Sequence, residues 1–435
     1  MKADDIKFQS EGYKNALGKI EKLVDSQSFS QIGAYVEGDN LVGGFATIDT
    51  RPYYIYCQYG PVNLNHAGKL SRIYKMAISM GAPVISILDS EGINVETGMD
   101  VLAAYGKIFE TMSDASGVIP QYSLIYGKCM GTNAVISGLS DFSFGLKDSS
   151  LFIQSPNTAE DIKTVGLNKF LTATYNFEES GQLSFIYDDE DSLNAGFKEF
   201  LGFMPSNNLE ETPILLCNEE SEAPVSISAG MEVSEMVKAI SDNSEFVEVY
   251  AGFAKAVKTY FARFDGFCAA VIANDGNLSH CAMDKLAKVI AFCDAFNIPV
   301  VTLTNVSGFE TKVSSQKTAV SDVAALCYTF TNATVPKINI IVKDAIGLAG
   351  LAFNSKFIGA DLVYSWPNAN IALFTEEAAK VLGVSSEGFD KALAGGYVDE
   401  VIDPEETRKN IIYAIENLST KRVFKHPKKH GSICF

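Results

Sequence analysis

MGAPVISILDSEG (residues 80–92) and FNIPVVTLTNVSG (296–308) have one layout: a helix-like approach, a proline, an apolar run and a glycine. IPQYSLIYGKCMG (119–131) and VPKINIIVKDAIG (335–347) repeat the pattern. Pro83 and Pro299, Gly92 and Gly308, Pro120 and Pro336, and Gly131 and Gly347 are each separated by the same 216 positions. Two copies of one α/β unit therefore stand in tandem. Short apolar runs bounded by turn residues read as buried strands. Strands alternating with helices predict largely parallel sheets.

A chain of 435 residues accommodates two domains of about 200 residues each. Hydrophobic content of 47% with 20% charged residues describes a globular protein able to bury a core. The net charge of −18 argues against nucleic acid or an anionic membrane as the main partner. It leaves an anionic small ligand open, because local amides and cations bind phosphate inside acidic proteins. The opening MKADDIKFQSEGYKN has no apolar core of a signal peptide, and no run reaches the ~18–20 apolar residues of a membrane span. Eight scattered cysteines without a CxxC predict reduced, mostly buried thiols of a cytoplasmic protein and no structural zinc.

Along the chain, the spacing predicts a helix over 15–26, then two strands in EGDNLVGGFATIDTRPYYIYCQ joined at DTRP. Leu70, Ile73, Ala77 and Ile78 mark one face of a helix over 66–79, and a second helix is predicted over 98–112. The polar, proline-marked stretch 205–225 reads as a linker. The second copy is expected to carry helices over 284–296 and 317–330. An amphipathic helix and a basic tail close the chain.

Several chemistries lack their residues. His66, His280, His426 and His430 show no metal-ligand spacing, so no metal site is expected. No Gly-x-Ser-x-Gly elbow and no phosphate-binding GxxxxGK[ST] loop occurs. What remains are paired glycine turns: GKCMGTNAVISGLSD and VKDAIGLAGLAFNS, with DSEGIN (89–94) and NVSGFE (305–310). Each is read as a strand end turning into a helix, where unpaired backbone N–H groups suit a developing oxyanion. A single such turn is most simply close packing; four in two equivalent pairs favour a site.

These segments, with LSDFSFGLKDSSLFIQSP, GFMPSNN, FDGFCAAVIAND, WPNANIAL and KKHGSICF, cover nearly the whole chain. Together they resemble the carboxyltransferase subunit of biotin-dependent acyl-CoA carboxylases, of the propionyl-CoA carboxylase β-chain and methylmalonyl-CoA decarboxylase α-subunit type. The resemblance implies two tandem crotonase-like (ClpP/crotonase) ββα superhelix domains, with residues 1–212 on the acyl-CoA side and 213–435 on the biotin side. It implies transfer of a carboxyl group between biotin on a carrier protein and a short-chain acyl-CoA. Carried over by position, one oxyanion hole falls on the amides of Gly131 and Thr132, the other on Leu348 and Ala349. Gly92, Ile93, Gly308 and Phe309 would border the substrates, and Leu351 stands where the family selects its acyl chain. Expected partners are a biotin carboxyl carrier protein with biotin carboxylase or membrane decarboxylase subunits, in a closed homo-oligomer, a hexamer.

The chain departs from the family pattern at these turns. Asp-Ser-Gly-Gly-Ala reads Asp89-Ser90-Glu91-Gly92-Ile93, and Gly-Gly-Ala reads Gly131-Thr132-Asn133 and Gly347-Leu348-Ala349. Added bulk narrows close backbone approach. Two other readings stay open. One is a divergent paralogue acting as a structural subunit. The other keeps the fold but changes the chemistry, to biotin-independent decarboxylation or to acyl-CoA hydration, for which only Glu91 and Glu96 offer a carboxylate pair.

Overall fold

Two tight hairpins begin the repeated unit. Asp49–Thr50 and Asp265–Gly266 each turn the chain in two residues with positive φ, at 49° and 68° in the first and 51° and 84° in the second. Such turns match the right-handed twist of the strands they join. In each copy a carboxylate from the preceding segment holds the turn: Asp25 accepts from the amides of Asp49 and Thr50, and Asp242 from those of Asp265 and Gly266.

The computed structural model describes residues 8, 10–90, 98–153, 171–217, 220, 223–386 and 388–432. The chain forms two compact units, 1–210 and 211–435. Unit 1 runs α1 (Glu11–Leu23), β1 (Ser30–Gln31), β2 (Leu41–Ile48), β3 (Arg51–Gln58), α2 (Leu64–Met80), β4 (Val84–Ser90), α3 (Asp100–Ala115) and β5 (Gln121–Met130). It continues with α4 (Ala134–Leu139), β6 (Phe142–Leu146), β7 (Ser150–Phe152), α5 (Ala173–Glu178), β8 (Phe185–Tyr187) and α6 (Glu190–Leu201).

Unit 2 runs α7 (Val233–Ile240), β9 (Phe246–Glu248), β10 (Val257–Phe264), β11 (Phe267–Asn274), β12 (Gly276–Leu278), α8 (His280–Ala295), β13 (Val300–Phe309), α9 (Val313–Gln316), α10 (Ala319–Asn332) and β14 (Lys337–Ile346). It ends with α11 (Gly347–Ala352), β15 (Leu362–Ser365), β16 (Asn370–Ala372), α12 (Glu376–Leu382), α13 (Phe389–Ala394), β17 (Glu400–Val401) and α14 (Thr407–Leu418). The starts of β2, β3, β4 and β5 recur 216 residues later as those of β10, β11, β13 and β14.

The sheets share one path. Unit 1 orders its strands β1-β2-β3-β4-β5-β6-β8 with β7 on β5; unit 2 orders them β9-β10-β11-β13-β14-β15-β17 with β16 on β14 and β12 on β13. After the antiparallel hairpin, every ladder on the main path is parallel. The two faces of β14 feed different packing, as strand alternation requires. Ile338, Ile340 and Val342 pack with α7 and α14, while Ile341 packs with Val363, Ala392 and Val398. In unit 1, α6 closes the sheet through buried Phe197 and Phe200 against Tyr122 and Phe144. Each such ring contributes about 1.5–3 kcal/mol by burial.

Helix limits move from the sequence expectation because caps set them. Ser10, Asn63 and Ser279 accept from the first-turn amides of α1, α2 and α8, so these helices begin earlier than apolar periodicity alone indicated. α1 also stops at Leu23, because Asp25 is committed to the hairpin turn. Among the described residues, no helix is long and apolar enough to cross a membrane.

A buried lysine recurs with the repeat. Lys69 Nζ donates to Asp39 Oδ2 (2.7 Å) and to Leu41 O (2.7 Å). Its counterpart, Lys285, donates to the carbonyls of Tyr250, Phe253 and Val257. Burial pushes the Lys285 ammonium down to about 7. Between that value and the ~10.4 of an unfolded lysine, the unfolded chain holds a proton that the folded chain lacks. Stability is therefore expected to rise with pH across this window, by about 1.4 kcal/mol per pH unit for one group. Lys285→Met should remove that part of the rise. Urea unfolding of both proteins at about pH 7.5 and 9.5 measures it; equal pH slopes would contradict the assignment.

Candidate active site

Two central strands end alike. β5 passes into Gly131 (φ 61°), a 3-10 turn over Gly131–Asn133 and then α4; β14 passes into Gly347 (φ 54°) and α11. Glycine takes this left-handed conformation without steric cost. At Gly347 a Cβ would stand 2.9 Å from Leu373 O, whereas at Gly131 the nearest atom among the described residues, Ile153 O, is 3.9 Å away. A short parallel strand flanks each turn: β7 pairs with β5 through Met130 and Phe152, and β16 with β14 through Ile346 and Ala372.

First-turn amides have no acceptor inside their own helix. Gly131 and Thr132 follow the cap residue Met130 directly, while Leu348 and Ala349 lie second and third after the cap Ile346. Among the described residues, none of these four amides donates to a carbonyl outside the strand and helix ladders. By the 216-residue relation, Thr132 matches Leu348 and Asn133 matches Ala349. The pair assigned in unit 1 thus sits one residue earlier than its counterpart in unit 2. Asn133 is fully buried and its Oδ1 has no partner among the described residues.

Beside the second turn lies a largely apolar cavity of about 500 Å³, lined by Leu348, Leu351, Phe357, Ile371, Leu373 and Tyr397. Leu348 is 57% exposed and Ala349 only 2%, so the side chain of the first fills the mouth while both backbones stay at the turn.

Other sequence-selected residues fall differently. NVSGF does not turn: β13 runs on to Phe309, with Gly308 pairing Asn277 and Phe309 pairing Leu278 of β12. A register shift between Gly276 and Asn277 accommodates the extra strand, so Gly308 and Phe309 form an extended edge. Glu91, Gly92, Ile93 and Glu96 lie outside the described residues. Burial pushes the thiols of Cys57, Cys129 and Cys268 up to about 12, which keeps them protonated and unreactive. His66 is buried, and desolvation holds it down at about 4, hence neutral.

Sequence spacing missed one cluster. His280 Nδ1 stands 2.8 Å from Asp322 Oδ2 of α10 and its Nε2 3.4 Å from Asp284 Oδ2, one turn along α8. Burial raises the Asp284 carboxyl. Only the i,i+4 relation of His280 and Asp284 was visible in the sequence; Asp322 arrives through tertiary packing.

Residues 55–383 match the family described as carboxyl transferase domain. The chain belongs to the carboxyl transferase family. It is 34% identical to methylmalonyl-CoA decarboxylase subunit alpha of Veillonella parvula, over 98% of this chain and 94% of that protein. It is 31% identical to the methylmalonyl-CoA carboxyltransferase 12S subunit of Propionibacterium freudenreichii subsp. shermanii, over 98% and 92%. A solved transcarboxylase 12S structure, a hexamer assembly with methylmalonyl-coenzyme A and methylmalonic acid bound, superposes with a TM-score of 0.91 at 29% identity, covering 99% and 96%. As a carboxyl transferase, the chain carries two crotonase-type units, and its paired glycine turns recur at the ends of equivalent strands.

Proposed function

We propose that this carboxyltransferase moves a carboxyl group between biotin on a carrier protein and a short-chain acyl-CoA, methylmalonyl-CoA and propionyl-CoA first among them. The observation that carries this is the pair of left-handed glycine turns, Gly131 and Gly347, in a chain related to such enzymes from end to end. Residues 1–212 would take the acyl-CoA and 213–435 the biotin side. The amides of Gly131 and Thr132 would hold the thioester oxygen as it gains charge on loss of the α-proton or of carbon dioxide. Those of Leu348 and Ala349 would hold the ureido oxygen of biotin, whose chemistry is to accept or release carbon dioxide. The cavity of about 500 Å³ beside Leu348 has room and apolar walls for a bicyclic ring system. Preorganised backbone donors of this kind stabilise an oxyanion by several kcal/mol.

The partners that follow are a biotin carboxyl carrier protein with a biotin carboxylase or membrane decarboxylase subunits, in a homo-hexamer in the cytoplasm. The test follows decarboxylation of methylmalonyl-, malonyl- and glutaconyl-CoA with free biotin. Biotin-dependent release of carbon dioxide from one of them is expected. No turnover on any, with an active relative run alongside, overturns the proposal and leaves a structural subunit. Turnover without biotin also overturns it.

A further inference from the structure

A separate cavity of about 690 Å³ opens in unit 2 at the carboxyl end of β11, beside Leu303 and Asn305 within β13 and Val342 and Lys343 within β14. It lies on the α7 side of β14, where Val342 points, and not on the Ile341 side that borders the Leu348 turn. Its lining is mixed: Met236, Leu303 and Val342 form an apolar part, and two exposed lysines, Lys255 and Lys343, stand at its edge. Among the described residues, neither lysine pairs with a carboxylate.

Asn274, 2% exposed, also lines this cavity. Its Nδ2 donates to Gly276 O and Asn305 O, which fixes the amide orientation, and its Oδ1 has no partner among the described residues. A buried acceptor left without a donor costs about 1–3 kcal/mol. Two carboxylates also line the cavity, Asp275, whose Oδ1 accepts from Asn305 Nδ2, and Glu232, which accepts from the Ser234 amide, together with Lys258, which pairs with Glu248.

Unit 1 supplies the comparison. Its equivalent cavity, about 470 Å³, has Gln58 in place of Asn274, with Nε2 on Gly60 O and Oε1 likewise without a partner among the described residues. There Lys19 and Lys22 are neutralised by Asp89 and Glu190. Across the repeat, Asp89 becomes Asn305, Asp39 becomes Lys255 and Gly127 becomes Lys343. Unit 2 thus holds an amide where unit 1 has Asp89, but Glu232 and Asp275 where unit 1 has Ala16 and Tyr59; what sets its cavity apart is that Lys255 and Lys343 pair with no carboxylate among the described residues.

We propose that this cavity in unit 2 binds an adenine nucleotide. Lys255 and Lys343 would meet the phosphates, the side chains of Met236, Leu303 and Val342 the purine, and Asn274 Oδ1 the exocyclic amino group. The carboxyl edge of parallel strands is the usual place for such ligands in α/β sheets. This proposal is independent of the carboxyl-transfer reading.

Calorimetric titration of the full chain tests it with ADP, IDP and inorganic pyrophosphate. ADP should bind, with IDP weaker by about tenfold, because IDP puts an acceptor oxygen where the adenine carries its donor. Pyrophosphate should bind more weakly than ADP. A Lys255→Glu, Lys343→Glu double variant, altered only at exposed positions, should lose about tenfold or more in ADP affinity. Absence of ADP binding at about 1 mM, a weaker affinity than this class of pocket supports, would overturn the proposal. Equal affinity for IDP or pyrophosphate, or unchanged binding by the double variant, would overturn it as well. The last outcome would assign the nucleotide to a site outside this cavity, such as one that takes the nucleotide end of coenzyme A.

Discussion

Gly347→Ala is expected to lower biotin-dependent decarboxylation by about 10²–10³-fold, the loss seen when one oxyanion donor is removed. Alanine at φ 54° carries a backbone cost of about 1–2 kcal/mol. Its Cβ would also press within 2.9 Å of Leu373 O, a backbone atom of the segment just beyond β16 that cannot swing aside as a side chain would. The turn must therefore rotate, and the amides of Leu348 and Ala349 rotate with it. Gly131→Ala is the internal control. It pays the same conformational cost at φ 61°, but among the described residues its nearest neighbour is 3.9 Å away, so the amides of Gly131 and Thr132 are expected to stay in place and the rate to fall far less. Steady-state kcat and KM of both variants decide the matter. Full turnover by Gly347→Ala would remove this turn from the chemistry, even if the carboxyl-transfer reaction itself were established.

The repeat was legible because prolines and glycines mark backbone conformations that few other residues adopt, and their spacing survives when side chains diverge. Pro83 and Pro299 precede β4 and β13, and Gly131 and Gly347 follow β5 and β14. The left-handed φ at both glycines could be expected from residue type. What could not be read was whatever depends on a partner distant in sequence. NVSGF has the composition of a turn, yet it remains extended because β12 pairs with its end. His280 meets Asp322 across two helices, 42 positions apart. The offset also exposes a mismatch that motif carry-over concealed. The amide pair taken from the family in unit 1 is one residue out of register with the pair in unit 2, so Asn133 enters as a candidate donor that sequence reading passed over.

The largest stability effect is expected at Lys69, and the repeat explains why it should exceed that at Lys285. Both lysine side chains are buried at matching positions, on α2 and α8. Lys69 faces a carboxylate, since Asp39 is itself fully buried and lies 2.7 Å away. In unit 2 the position of Asp39 holds Lys255, so Lys285 meets only carbonyls. Lys69→Met would strand a buried carboxylate, and breaking such a pair on one side costs about 3–5 kcal/mol. For a unit of this size that corresponds to a fall in Tm of roughly 10 °C. Lys285→Met strands three neutral carbonyls at a net loss of about 0.5–1.5 kcal/mol each, a loss offset by removal of the burial cost that pushes this lysine down to about 7. The double variant Asp39→Leu, Lys69→Met removes both partners and should recover much of the loss, because apolar replacement of a buried pair is often close to neutral. Scanning calorimetry on the two single variants and the double gives the comparison. If Lys69→Met melts within about 2 °C of the parent, under 1 kcal/mol for a unit of this size, or if the double variant is as unstable as the single, the pair is not what holds α2 to the loop before β2.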